Sequence, residues 1–435
     1  MTCSSSECAD EKAWTWATLL LCISLAVRFA FLDWPNEVIL DEVHWGKYVT
    51  AYASTGSNLF DVHPPHGKLL VASLLKITGY DGQQNFDYIG TPLTHVSALT
   101  IRILPALAGS LVPFTLFLIF LHFGIGLETA FVFSLCSALD NAFVLQSRVM
   151  GLYPMFLFAL VSSLYFALKA QETAGAKKIL FLGACGVACG FAAGFQFTGI
   201  TALAVVFFVL AVYWLKKAIP LKGFLFQTAM VSFIGLGVYL IGWKIHFLLL
   251  PNPGSGDEFY RNTGVFWTDL FELHRHMYRH SASLTTFHPD ASPAWSWPFI
   301  TKPIYYWHAP EKSLYFLGNP AVWWGVTFLL VWNGGKECFR KKRFEPDLSK
   351  ISLFAFLLSY VPLMLMNRVL FLYHFLIPLT YAELFVGVTA EEYTKKNFFW
   401  MIALIVLGFV YLSPVTYGFS MPQWYWDGLP WDLAH

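Results

Sequence analysis

Residues 13–48 read AWTWATLLLCISLAVRFAFLDWPNEVILDEVHWGKY, and this stretch decides how the rest of the chain is understood. From 13 to 32 the residues are almost all apolar, with a single charge, Arg28, near the end. A run of ~20 apolar residues is what a helix needs to cross the hydrocarbon core of a bilayer. The chain then enters water and soon reaches an adjacent acid pair, Asp41-Glu42. Further along comes Phe60-Asp61-Val62-His63-Pro64-Pro65-His66-Gly67-Lys68. A carboxylate able to accept a proton thus stands near a cationic turn able to hold an anion, both at the water edge of a membrane helix.

Composition extends the membrane reading to the whole chain. Hydrophobic residues make up 57% of the 435, charged residues 13% and aromatics 18%. A soluble domain carries about 25% charged residues, so an integral membrane protein embedded in a lipid bilayer is expected. The formal net charge of +1 leaves no broad basic surface, and no nucleic-acid partner is expected. No Gly-rich phosphate loop, His-Glu-x-x-His site, nucleophile elbow or paired His/Cys spacing occurs, so neither metal nor cofactor is expected. Cys185 and Cys189 lie in an apolar helix without a histidine and read as packing residues. None of the seven cysteines falls in an outer loop of the topology below, which predicts no structural disulfide. Asp10, Glu11 and Lys12 precede the first apolar run and no small-residue cleavage site ends it. That run is read as a retained signal anchor.

Counting apolar runs of spanning length gives about eleven helices, near 13–32, 98–121, 127–147, 152–169, 178–195, 197–215, 223–250, 315–333, 351–367, 369–390 and 398–414. The connections sort by charge. Lys169, Lys177 and Lys178, then Lys216, Lys217 and Lys222, then Lys336 with the run Arg340 to Arg343, then Lys395 and Lys396 all fall on one side, which is cytoplasmic by the positive-inside rule. The N-terminus is then inside and the C-terminus outside. Two large loops, 33–97 and 251–314, face out with the tail from Ser413. Within the first, 42–55 and 65–78 read as short helices. The second of these is an interfacial amphipathic helix, with Leu69, Leu70, Leu74, Leu75 and Ile77 at helical spacing. A single membrane-embedded domain over 1–435 is expected.

The candidate functional residues gather at the outer edge. Asp41 and Glu42 could serve as helix caps, but capping needs one acid, and a pair divides labour readily: one ion-paired, one free as a base. His63 and Lys68 open the interfacial helix, where free N–H groups favour an anion. Arg28 and Arg102 bracket the acid pair, and read either as snorkelling side chains or as a phosphate clamp. Asp140-Asn141 and Gln146-Ser147-Arg148 either line a site or hold helices together. In the second outer loop His288, Trp297 and Lys302 sit in a Trp/Tyr-rich stretch that is either an interfacial belt or a sugar-stacking surface. Arg368 and His374 add a cation and a titratable ring at the outer boundary.

These motifs, in this order and topology, resemble the protein O-mannosyltransferases, membrane enzymes of the GT-C glycosyltransferase class. The resemblance rests on Arg28 before Trp34-Pro35-Asn36, Asp41-Glu42-Val43-His44, His63-Pro64-Pro65, Arg102, Leu139-Asp140-Asn141, Gln146-Ser147-Arg148, Trp297-Pro298, Tyr373-His374 and Ser413-Pro414-Val415-Thr416-Tyr417-Gly418. It departs from the usual family pattern at Met150-Gly151-Leu152-Tyr153, at Gln196 and at His66. The resemblance implies an all-α polytopic GT-C fold and transfer of mannose from a polyprenyl phosphate, dolichyl in eukaryotes, to Ser/Thr hydroxyls of exported proteins, with inversion. It makes Asp41 the general base and Glu42 its electrostatic neighbour. Arg28, His63, Lys68, Arg102, Arg368 and His374 become donor-phosphate or substrate-binding residues, and His288, Trp297 and Lys302 a sugar or acceptor loop. The soluble β-trefoil repeats of eukaryotic members are not seen in the second outer loop. That compact form favours a bacterial cytoplasmic membrane with the site on its outer face, or, in a eukaryote, an endoplasmic reticulum membrane with a lumenal site. Dimerisation is left open. Two alternatives stand: a GT-C transferase acting on a glycolipid or cell-wall glycan, and a membrane transporter. The transporter fits less well, since the ionisable residues gather at one face rather than at the bilayer midplane.

Overall fold

The computed structural model describes residues 5–255, 257, 259–286, 288–339, 347–431 and 433. The basic run from Arg340 to Arg343 lies outside the described residues, as do Cys3 and the side chains of Cys8 and Cys338. In chain order come α1 (Ser5–Phe29), α2 (Glu42–Thr50), β1 (Ser57–Asn58), α3 (His66–Ile77), α4 (Ala98–His122), α5 (Leu127–Ala138), α6 (Asn141–Gln146), α7 (Tyr153–Gln171), α8 (Gly175–Phe195), α9 (Ile200–Leu215) and α10 (Leu221–Leu249). Then follow β2 (Asn252–Pro253), α11 (Phe266–Ser283), β3 (Ile304–Ala309), β4 (Lys312–Phe316), α12 (Pro320–Phe339), α13 (Leu348–Leu365), α14 (Leu376–Thr389), α15 (Glu391–Tyr417) and α16 (Gln423–Asp427). Among the described residues, nine helical stretches are long and apolar enough to cross a membrane. The chain is an integral multi-pass membrane protein.

Two of the expected spans take another form. The segment near 127–147 is a twelve-residue apolar helix, α5, followed by the short α6. The break falls at Asp140, whose carboxylate accepts from the Phe143 N–H at 2.8 Å, capping α6, and from Asn319 N–H and Trp323 Nε1 at 3.0 and 2.7 Å. The segment near 315–333 begins as strand β4, and its helix, α12, starts only at Pro320.

A broken or ended helix inside apolar surroundings leaves carbonyls without partners, and each orphan is costly there. The buried arginines answer this. Arg28 donates to the carbonyls of Ser137 and Ala138 at the end of α5, at 3.0 and 3.1 Å, and to Ser24 Oγ and Ser147 Oγ. Arg148 does the same for the end of α1, donating to the carbonyls of Arg28, Ala30 and Phe31. Elsewhere the bundle closes through small residues. Gly186 and Gly190 of α8 meet α10 so closely that a Cβ on Gly190 would lie 2.6 Å from the Gly235 carbonyl oxygen, the close approach that glycine permits between membrane helices.

The sidedness read from the lysines has structural correlates. Glu391 at the start of α15 accepts from the Gly126 N–H between α4 and α5, and His122 and Lys169 meet at Glu172, so these basic ends lie together. On the other side β1 pairs parallel with β2, joining the first outer loop to the second. Within the second loop, the described residues form α11, a short 3-10 turn and the β3–β4 hairpin. Cysteines placed at Ser57, Ser255 and Ser420 are therefore expected to label together with a membrane-impermeant maleimide applied from the outer compartment. Labelling of only one or two would break the topology.

Candidate active site

The turn before α2 separates the two acids of the pair. Leu40 sits at φ 36°, in the left-handed region that non-glycine residues enter at a cost of about 1–3 kcal/mol. Its N–H is held by the carbonyl of Tyr306 on β3 at 3.0 Å. From there Glu42 turns inward. It is fully buried and accepts from Arg102 Nε and Nη2, both at 2.9 Å, from the Met150 N–H at 2.9 Å and from the Ile39 N–H at 3.1 Å. All of its acceptor capacity is engaged. Asp41 turns the other way, onto a cavity wall, and although it occupies the N-cap position its side chain caps nothing. Burial raises its pKa above the ordinary 3.8, and Asp61 adds to this. His44, His63 and His288 pull in the opposite direction but do not cancel it.

The cavity has a volume of about 650 Å³. Its walls come from the start of α2, the His63 turn, the α6–α7 and α8–α9 turns, α11 and residues 366–374. Arg368 is the cation on this wall that is held by no carboxylate among the described residues. It donates to Ser281 Oγ of α11 and, at 3.5 Å, to the Val369 carbonyl. His63 also lines the cavity, with Nδ1 3.0 Å from Asp61 Oδ1. His374 joins it, with Nδ1 2.9 Å from the Phe371 carbonyl oxygen. Tyr153 and Tyr373, ring centroids 4.9 Å apart, and Tyr306, bonded to Gln146, give the cavity aromatic faces. The chemistry on offer is a free carboxylate of raised pKa, an available guanidinium and aromatic surface.

The remaining sequence candidates lie off this wall. Arg28 and Arg102 are fully buried. Arg102 serves Glu42 and the carbonyls of Pro35 and Glu37, both at 2.8 Å, and Arg28 serves the broken α5. Lys68 turns from the cavity to Asp61, 2.7 Å away, and to the His63 carbonyl. The cationic turn thus already holds an anion of its own. Burial alone would raise the Asp61 pKa, but Lys68 and His63 outweigh it and hold the carboxyl below its usual range. Trp297 stands behind the wall, stacked on His374 with centroids 6.0 Å apart. His288 is outside the lining but packs edge-on against Phe371, and Lys302 is only partly exposed and away from it. Tyr153, Gln196, His274, Tyr278 and Ser281 line the cavity although their local sequence marks them for no role, and Tyr306 joins them from the Trp/Tyr-rich stretch of the second outer loop. Two of them, Tyr153 and Gln196, stood at the departures from the family pattern, which was the available signal.

Residues 18–251, more than half of the chain, match the family described as dolichyl-phosphate-mannose-protein mannosyltransferase, and residues 266–432 match the C-terminal four-transmembrane region of protein O-mannosyltransferase. A dolichyl-phosphate-mannose–protein mannosyltransferase 4 of Schizosaccharomyces pombe is 33% identical over 55% of this chain and 33% of its own length. Protein O-mannosyltransferase 1 of Drosophila melanogaster is 32% identical over 57% of this chain and 29% of its own. The chain spans about a third of the length of the curated relatives it matches. In fold it is similar to a chain of the Saccharomyces cerevisiae Pmt1–Pmt2 complex bound to the sugar donor, with a TM-score of 0.86 and 17% identity, covering 97% of this chain and 93% of that one. ArnT from Cupriavidus metallidurans bound to undecaprenyl phosphate follows at a TM-score of 0.57 and 16% identity, over 92% of this chain and 65% of that one. The fold is thus the GT-C bundle, and the chain belongs to the dolichyl-phosphate-mannose–protein mannosyltransferase family.

Proposed function

We propose that this protein transfers mannose from a polyprenyl-phosphate-linked donor to Ser/Thr hydroxyls of proteins delivered to the outer compartment. The observation that carries the reading is the divergence of the acid pair: Glu42 is locked to Arg102, while Asp41 faces the cavity with its carboxylate free. In this scheme Asp41 takes the proton from the acceptor hydroxyl as its oxygen attacks the anomeric carbon. The bond from that carbon to the phosphate oxygen breaks, and the electron pair leaves with the lipid phosphate. A single displacement of this kind inverts the anomeric centre. Arg368 meets the departing phosphate, with His63 beside it, and the tyrosine faces receive the sugar ring.

The relatives come from fungi and animals, which favours an endoplasmic reticulum membrane with a lumenal site over the bacterial membrane suggested by the compact second loop. A dimer is in keeping with the two-chain assembly named for the Saccharomyces cerevisiae relative. The reading is tested by intact-mass analysis of exported proteins with and without the gene. Hexose increments that vanish on deletion support it, and increments that persist overturn it. A glycan or glycolipid acceptor would instead leave protein masses unchanged.

Arg368→Lys keeps the charge and loses the planar fork. Losing one charge-assisted hydrogen bond to phosphate costs about 1.5 kcal/mol, roughly tenfold in donor KM. Acceptor KM is expected to stay near wild type. A donor titration at saturating acceptor checks this, and an unchanged donor KM and kcat would remove Arg368 from the site.

A further inference from the structure

Helix α11 has two apolar faces, and the bundle uses only one. Leu273 and Met277 are buried, and with Phe266 and Leu270 they pack against Trp243, Phe247 and Tyr260. Trp267, Phe271 and Tyr278 form a second stripe, at helical spacings of four and seven, and are 65%, 70% and 75% exposed. Beside that stripe stand Arg275 and Arg279, four apart, both exposed and without an ion-pair partner among the described residues.

The position of the helix says what faces the second stripe. α11 runs back along the outer end of α10: Phe266 meets Phe247 near the end of α10, and His274 meets Trp243 and Tyr239 further in. Phe197, in the turn between α8 and α9, touches His274 as well. Ile241, Ile245 and Leu248, on the face of this same end of α10 that turns away from α11, are exposed, so α11 lies at a depth where α10 still presents a lipid-type surface. Aromatic side chains flanked by arginines are the composition of a helix lying at the headgroup level. The unpaired guanidinium groups match phospholipid phosphates in charge and geometry.

We infer that α11 is seated in the outer-leaflet interface, with Trp267, Phe271 and Tyr278 among the acyl chains and Arg275 and Arg279 bound to the phosphates of anionic phospholipid. The seat bears on the cavity because α11 also forms part of its wall. Tyr278 lies on both surfaces, and Ser281 holds Arg368. From inside, His274 is bonded to Tyr239, which stacks on His66. The ring of His66 in turn is pressed into the space that Gly194 and Gly242 leave open. The helix is braced by the protein on one side and by lipid on the other. Only the link to turnover rests on the proposed transferase activity; the seating itself does not.

The test uses the full chain in nanodiscs of phosphatidylcholine with 0 or ~30% phosphatidylserine. A nitroxide on Phe271→Cys, with the native cysteines replaced, is expected to relax with oxygen and to be shielded from a water-soluble nickel chelate. A label on Ser255→Cys, in the same outer loop, should show the reverse. Wild-type turnover is expected to rise roughly threefold with phosphatidylserine, and Arg275→Gln/Arg279→Gln to lose that rise while keeping its turnover in phosphatidylcholine. A Phe271 label as open to nickel as the Ser255 label overturns the seating, whatever the activity. A double variant that raises acceptor KM equally in both lipids also overturns it, and assigns the stripe to the acceptor polypeptide. Shielding without a lipid effect on turnover keeps the seat but overturns the binding of anionic phosphate.

Discussion

Asp41→Asn is expected to abolish transfer while leaving membrane insertion and donor binding largely intact. Removing a general base from the transition state lowers turnover by ~10²–10⁴-fold. Among the described residues the side chain has no hydrogen-bond partner, and it caps no helix, so its exchange for an isosteric amide disturbs little else. The pH profile gives an independent reading of the same group. A base works only when deprotonated, so wild-type kcat should fall as the pH drops through the Asp41 pKa. Burial lifts that pKa above 3.8, and the acid limb should therefore lie at higher pH than for an unperturbed aspartate. The residual activity of the Asn variant should lack this limb. Near-wild-type turnover of purified Asp41→Asn protein would move the base elsewhere, with His63 the next group on the wall.

Long-range order was legible in this sequence where one physical signal dominated. Apolar runs of spanning length located the long helices, because a helix that crosses hydrocarbon needs about 20 mostly apolar residues in succession. Where a run contained a buried polar break the reading slipped: 127–147 looks continuous, yet Asp140 has partners on α12 and its approach that only the folded chain supplies. The acid pair was legible as a division of labour, since adjacent carboxylates at a helix start cannot share one environment. The partners of the arginines were not. Arg28, Arg102 and Arg368 have the same local look, a lone cation at a span boundary. Three-dimensional context alone shows that the first two are consumed by carbonyls and Glu42 while the third is left on the cavity wall. For the same reason Lys68 read as an anion holder without revealing that Asp61, seven residues earlier, is the anion it holds.

The Arg102–Glu42 pair should be the most costly contact in the molecule to break. Both side chains are fully buried and bound through two nitrogens to two oxygens. A buried ion pair gains little over a well-packed apolar pair, but removing one partner strands the other charge, at about 3–5 kcal/mol. Arg102→Ala also strips donors from the carbonyls of Pro35 and Glu37, which shape the turn leading to Asp41. The expected outcome is a steep loss of folded protein in detergent, seen as a lowered unfolding temperature. Any protein that survives should show a fall in kcat with donor KM little changed, because Arg102 acts on Asp41 through Glu42 rather than on the phosphate. Glu42→Gln should be milder in shape and similar in kind, since it leaves Arg102 charged in a site without a counter-ion. The double variant Glu42→Gln/Arg102→Met removes both charges and should recover part of the stability lost in either single change. A donor KM that rises in Arg102→Ala with the unfolding temperature unchanged would place Arg102 on the lipid phosphate after all. It would also return the role of the second acid to Glu42 as a free carboxylate.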